Sequence, residues 1–405
     1  MDDGQSVVTR RQRRGAVSLL LAMVLLGVFP LDVLLPSFPA LAEHFRRTPA
    51  DIALSVSLFA VGIAFAQLLI GPLSDVIGRK GLLLAGMSVS ILGALGCVMT
   101  SDYSLFLIFR VVQALGCGCF VLSQALVQDL FEGEQRDRLR ILMVTAGGIF
   151  ISVSPLAGTF LQATLGWRGS FWVFIALSAA VLLKAWMFLE NSRPSASGTR
   201  TNFLTAYRRV LGDFDFVGYW LISAFAFACH FSFIVISPLI FMDRLQLTAY
   251  EFSLILLIYG AAYVTGGILA SVLSRRINSG QQMVVGLSLI LFAGVAMLYL
   301  ASNFALAPAT VLIPMLICTA GTTIARPAAT SRAMSLFPEN AGTSASAGST
   351  IIFICGGLIS ALISLSPTNL QSTLGYSFVI LSGVALAMNA RISRRNDLEG
   401  QPDSD

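Results

Sequence analysis

The sequence predicts an all-α membrane protein with twelve transmembrane helices in two six-helix bundles. Three observations carry that prediction. Of 405 residues, 56% are hydrophobic and only 12% are charged, whereas a soluble domain carries about 25% charged residues. Apolar runs recur at about the 20 residues that a helix needs to cross a bilayer. They fall at 16–37, 51–70, 81–100, 104–128, 140–163, 169–190, 216–241, 251–273, 282–302, 308–332, 342–366 and 371–391. The one long polar stretch inside the chain, 191–215, divides these runs six and six, as in membrane proteins built from repeats. The expected organisation is a tail at 1–15, an N-terminal bundle at 16–190, a linker at 191–215, a C-terminal bundle at 216–391 and a second tail at 392–405. The first run is long, holds Pro30 and Asp32 and has no clean small-residue cleavage site, so it reads as a span and not as a removed signal.

The net charge of +5 does not point to nucleic acid, because its distribution follows the membrane. Three cations lie well inside predicted spans, away from their ends (Arg110, Lys184 and Arg326). Four lie on one set of loops (Arg46, Arg47, Arg168 and Arg244), and all the others lie on the opposite side. By the positive-inside rule that bias predicts both termini in the cytoplasm. Cys97, Cys117, Cys119, Cys229, Cys318 and Cys355 all fall in predicted spans. Buried cysteine behaves as a small hydrophobe, so neither a disulfide nor a metal site is expected.

Between the second and third runs lies GPLSDVIGRK, Gly71 to Lys80. Gly71-Pro72 is expected to end one helix, since proline disfavours helical geometry in the residue before it. Gly78 permits a left-handed backbone in the turn. Asp75, Arg79 and Lys80 put both signs of charge at the membrane surface. At every defining position the stretch resembles the G-x-L-x-D-x-x-G-R-K signature of the major facilitator superfamily, which implies that family's two-bundle fold.

In the first span, Asp32 stands near the far end, before Leu35-Pro36 and Pro39. An intramembrane carboxylate is costly and is a functional candidate by default; the alternative is a cap or snorkelling group. In the fourth span come Arg110 and, one turn along the same face, Gln113. At 1.5 Å rise per residue, Arg110 and Asp32 should sit within a few Å in depth. An Arg bonded only to backbone carbonyls is the structural alternative. Asp32 with its prolines resembles the first span of drug:proton antiporters of the bicyclomycin/chloramphenicol resistance (Bcr/CflA) type. Arg-x-x-Gln-x-x-Gly at Arg110 to Gly116 resembles the superfamily pattern linked to proton coupling. The same resemblance implies that Asp129, at the end of the fourth span, meets Arg79 as a latch. Ser154-Pro155-Leu-Ala-Gly158 in the fifth span resembles the antiporter motif, with Ser154 in place of the usual Gly. Gly166-Trp167-Arg168 and Phe171 also match the Bcr/CflA pattern. Lys184 reads as a snorkelling cation.

The second half repeats the architecture faintly. Arg275-Arg276 occupies the place of the first half's turn, without its Asp. The seventh span carries Phe225, Phe227, His230, Phe231 and Phe233; His230 could exchange protons or only pack. The tenth span carries Arg326 before Pro327, where relatives have an uncharged residue; it either faces the cavity or snorkels. Pro338 to Ala345 resembles the Bcr/CflA entry to the eleventh span.

The resemblance implies a proton-coupled secondary transporter that exports a small organic molecule, a drug or a metabolite such as a siderophore, by alternating access. Asp32 and Arg110 would couple protons. Gly71, Asp75, Gly78, Arg79, Lys80 and Asp129 would gate. Gln113, His230 and Arg326 would bind substrate, and Arg326 favours an acidic one. A major facilitator importer or uniporter is the alternative. A polytopic membrane enzyme lacks its chemistry here, because His44 and His230 are isolated and no span holds a carboxylate pair. No cofactor is expected. The expected partners are substrate, protons and the lipid of a bacterial inner membrane, with no nucleic acid, and the expected state is a monomer.

Overall fold

The computed structural model describes residues 10–131, 133–189, 203–337, 341–366 and 369–399. Among these residues every regular element is helical. The N-terminal half holds α1 (Arg10–Asp32), α2 (Phe38–Phe45), α3 (Pro49–Ile77), α4 (Arg79–Met99), α5 (Tyr103–Cys117), α6 (Leu122–Leu130), α7 (Gly133–Leu165) and α8 (Arg168–Phe188). A short helix α9 (Phe203–Leu211) follows. The C-terminal half holds α10 (Phe214–Pro238), α11 (Ala249–Leu273), α12 (Ser279–Asn303), α13 (Pro308–Leu336), α14 (Ala341–Ser364) and α15 (Leu370–Glu399). Twelve segments are long and apolar enough to cross a membrane, and each overlaps one predicted run. Segment 191–215 is more than a connector, since α9 and the start of α10 lie within it.

The repeat is visible in the caps. Thr48 begins α3 with a capping box closed by Asp51, and Thr248 begins α11 with one closed by Glu251. Each satisfies orphan N–H groups at the start of the second membrane-spanning helix of its half. Within the halves, α4 packs on α5 and α8, and α12 packs on α13 and α15.

The halves meet along two helix pairs, α3 with α14 and α7 with α11. Small residues make this approach possible. A Cβ on Gly357 would lie 2.8 Å from the Ser57 carbonyl oxygen, and one on Gly260 would lie 2.3 Å from the Ser152 hydroxyl. Hydroxyl groups bridge the seam: Ser57 to Ser360 at 2.8 Å, Thr159 to Ser253 at 2.5 Å, and Ser346 donating to the Gln67 carbonyl at 2.7 Å. In lipid such bonds are each worth about 1 kcal/mol, so the seam is held weakly at many points and can slide.

The expected helix end at Gly71-Pro72 is wrong. α3 continues through both residues to Ile77, and the turn shrinks to Gly78 at φ 94° before α4 starts at Arg79. The physical reason lies far away in sequence. Proline lacks the N–H that would bond the carbonyl four residues back, which here is that of Leu68. That carbonyl accepts instead from the Tyr207 hydroxyl of α9 at 3.1 Å. A replaced hydrogen bond removes most of the cost of a proline inside a membrane helix.

Two further expectations changed. The fourth span is not one helix, because α5 and α6 are joined by a 3₁₀ turn at Gly118–Val121. A Cβ on Gly118 would lie 2.3 Å from Cβ of Ala66, so α3 crowds the chain at that point. Lys184 is half-buried and tied down instead of snorkelling freely, since its ammonium donates to the Ser18 hydroxyl.

Candidate functional site

Asp32 is the last residue of α1, just after Pro30. The chain leaves the helix into a 3₁₀ turn at Leu35–Ser37 that is fully buried. That turn is fixed by α7, where a Cβ on Gly158 would stand 2.2 Å from the Val33 carbonyl oxygen. The Gly of the fifth-span motif therefore sets the position of the carboxylate. Asp32 is 8% exposed and has no hydrogen bond or ion pair among the described residues. A carboxylate that served only to hold the fold would be bonded.

Arg110 lies at the depth the helical rise predicts, because its Nη2 donates to the Pro30 carbonyl at 3.2 Å. It nevertheless makes no ion pair with Asp32. Its Nη1 donates to Gln113 Oε1 at 2.7 Å, and its guanidinium sits 4.2 Å from the centroid of the Phe59 ring and 5.8 Å from that of Phe171. Cation–π contact is strongest when the cation is desolvated, and Arg110 is wholly buried. Gln113, expected at the substrate, is 1% exposed and spends its carbonyl on Arg110.

The C-terminal face has different chemistry. His230 of α10 shares a hydrogen bond with the hydroxyl of Tyr259 of α11, and the two rings stack with centroids 5.4 Å apart. Tyr263, one turn further along α11, also lies 5.4 Å from His230. Phe227 stacks on Phe231 at 5.2 Å and meets Phe353 edge-on at 5.4 Å. The Arg326 guanidinium lies 4.8 Å over the Phe227 ring, and its Nε is buried without a partner. Arg326 acts electrostatically on His230, and Asp32 acts on Tyr259. Asp32 of the first half thus lies within electrostatic range of Tyr259 of the second.

Of the gating candidates, Gly78 takes the left-handed backbone and Arg79 and Lys80 are half-buried. The side chains of Asp75 and Asp129, and the turn at Pro338, lie outside the described residues. The structure adds Phe59, Tyr259 and Tyr263, which the sequence reading missed, and gives Phe171, noted there only as part of a motif, a contact with Arg110. Tyr259 and Tyr263 did leave a signal, since two tyrosines four apart share a helix face and a buried hydroxyl needs a partner.

Two six-span bundles that meet across a face with a buried carboxylate on one side and a cationic aromatic cluster on the other define a membrane transporter, not an enzyme. Residues 17–361 match the Major Facilitator Superfamily, and the chain belongs to that family. Multidrug resistance protein D of Escherichia coli (strain K12) is 26% identical over 97% of this chain and 100% of its own length. A chloramphenicol resistance protein of Pseudomonas aeruginosa is 29% identical over 96% of this chain and 93% of its own. An uncharacterized MFS-type transporter of Bacillus subtilis, YdgK, is 28% identical, aligned over 64% of this chain and 66% of its own. Among solved structures, a bacterial homologue of the human lysosomal transporter Spinster, inward-facing and unoccupied, superposes with a TM-score of 0.74. It covers 95% of this chain and 98% of its own at 15% identity, and so speaks for the fold alone.

Proposed function

We propose that this protein is a proton-coupled exporter of small organic molecules in a bacterial inner membrane, with both termini cytoplasmic. The observation that carries the reading is Asp32, a buried membrane carboxylate with no hydrogen-bond or ion-pair partner among the described residues. Such a group is available to take up and release a proton as the halves rock. Substrate would enter as Asp32 gives its proton to the cytoplasm, and protons from the other side would reload Asp32 as substrate leaves. The drug-resistance names of the relatives favour export. Arg326 above Phe227, beside His230 and Tyr263, favours a flat or aromatic compound bearing a carboxylate, including siderophore-like metabolites. Asp75, Arg79 and Asp129 would form the latch between α3, α4 and α6, as their motif implies.

The test is transport in proteoliposomes with and without a pH gradient. A coupled exporter concentrates substrate against its gradient only when protons flow the other way. Equal rates and no accumulation under both conditions would make it a facilitator.

A further inference from the structure

Arg110 has a cost that the site described so far does not offset. It is wholly buried and cannot shed its charge, because guanidinium stays protonated in proteins. A buried charge without a counter-charge is strongly destabilising. Among the described residues no carboxylate lies within the 4.0 Å ion-pair distance of it. Its contacts are a side-chain amide, a backbone carbonyl and two aromatic faces, none of which carries a full negative charge.

Beside it is a small cavity between α1, α5 and α8, lined by Pro30, Leu34, Arg110, Gln113, Ser170 and Phe171 among others, with a volume of about 10 Å³. That is room for one particle of about the size of a water. Three polar atoms of its lining residues are buried with no hydrogen-bond partner among the described residues: Arg110 Nε, Gln113 Nε2 and Ser170 Oγ. Their residues are 0%, 1% and 5% exposed. The orientation of the Gln113 amide is not arbitrary. Oε1 is the atom that accepts from Arg110, so the free end is the NH₂ donor. Three residues of the lining, one of them a cation, thus each carry a buried donor without a partner among the described residues, and the lining holds no anionic group.

We infer that this cavity is a binding site for one small monovalent anion of chloride size, held by Arg110 Nε, Gln113 Nε2 and Ser170 Oγ as the counter-ion of Arg110. A water would accept two of these bonds but would leave the charge where it was. A halide accepts all three and neutralises it. Chloride is somewhat larger than water, and the Ser170 hydroxyl is the element that can rotate to admit it. The inference does not depend on the direction of transport or on Asp32 as proton carrier.

The probe is bromide. Crystals of the purified full-length protein grown in bromide are expected to show an anomalous peak among Arg110, Gln113 and Ser170. Replacing gluconate by chloride in modest excess over its Kd is expected to raise the melting temperature by about 2–4 °C. Ser170→Ala should need several-fold more chloride for the same shift. Ser170→Asp should become insensitive to chloride, because it supplies the missing charge within the chain, and its folding without chloride separates this result from simple damage. No bromide peak, together with equal melting in chloride and gluconate, would overturn the site in favour of water. A chloride effect of the same size in the wild type, Ser170→Ala and Ser170→Asp would also overturn it, as an ion effect located elsewhere.

Discussion

The two halves repeat one architecture and fill it with different chemistry. The N-terminal half is built for position. Gly158 presses α7 onto the end of α1, and Arg110 is pinned by Gln113, the Pro30 carbonyl and two phenyl faces. Asp32 is left unbonded among the described residues within this setting. The C-terminal half is built for contact. His230, Tyr259, Tyr263, Phe227 and Phe353 present stacked and edge-on rings, with Arg326 laid over one of them. A proton site needs fixed geometry and a single titrating group. A site for varied organic molecules needs broad apolar surfaces and one orienting charge. On the proposed function, the difference between the halves is a division of labour across the seam.

Mutations can break that division. The largest effect is expected from Asp32→Asn, which should abolish pH-gradient-driven export while the protein still reaches the membrane; full gradient-driven export by this variant would remove Asp32 as the carrier. Gly158→Val comes next. Its side chain has no room against the Val33 carbonyl, so a loss of about 1–3 kcal/mol is expected, read as a lower melting temperature and lower transport. An unchanged melting temperature would show that α1 is not held there. Arg326→Ala should weaken a carboxylate-bearing substrate about tenfold, the worth of one charge-assisted hydrogen bond, and a neutral substrate much less. Equal weakening of both would return Arg326 to a structural role. The smallest effect sharpens the picture instead of breaking it. Tyr259→Phe removes one hydrogen bond to His230, about 1 kcal/mol, and should shift substrate preference while sparing proton-driven turnover.

Much of the fold was legible because it is set by hydropathy and length, which are local properties. All twelve spans could be placed from the sequence for that reason. The helix through Pro72 could not, because its missing hydrogen bond is replaced by Tyr207, 139 residues away from the carbonyl it serves. The site divides the same way. The shared depth of Asp32 and Arg110 follows from helical rise alone. That Arg110 turns to Phe59 and Gln113 instead of to Asp32 depends on how α1, α3, α5 and α8 pack, and no spacing rule encodes it. Gly158 was readable as part of a motif, but its task of seating the Val33 carbonyl became visible only with α1 and α7 side by side.

Proton release on substrate binding to purified protein tests the division of labour most directly. The wild type should release a proton as substrate binds, and by linkage its affinity should rise with pH. Arg326→Ala should bind an acidic substrate more weakly yet still release a proton for each molecule bound. Asp32→Asn should bind with no proton release and with an affinity that no longer depends on pH. If Asp32→Asn still releases the proton, or if Arg326→Ala binds normally without releasing one, the two tasks do not lie in the halves to which they are assigned.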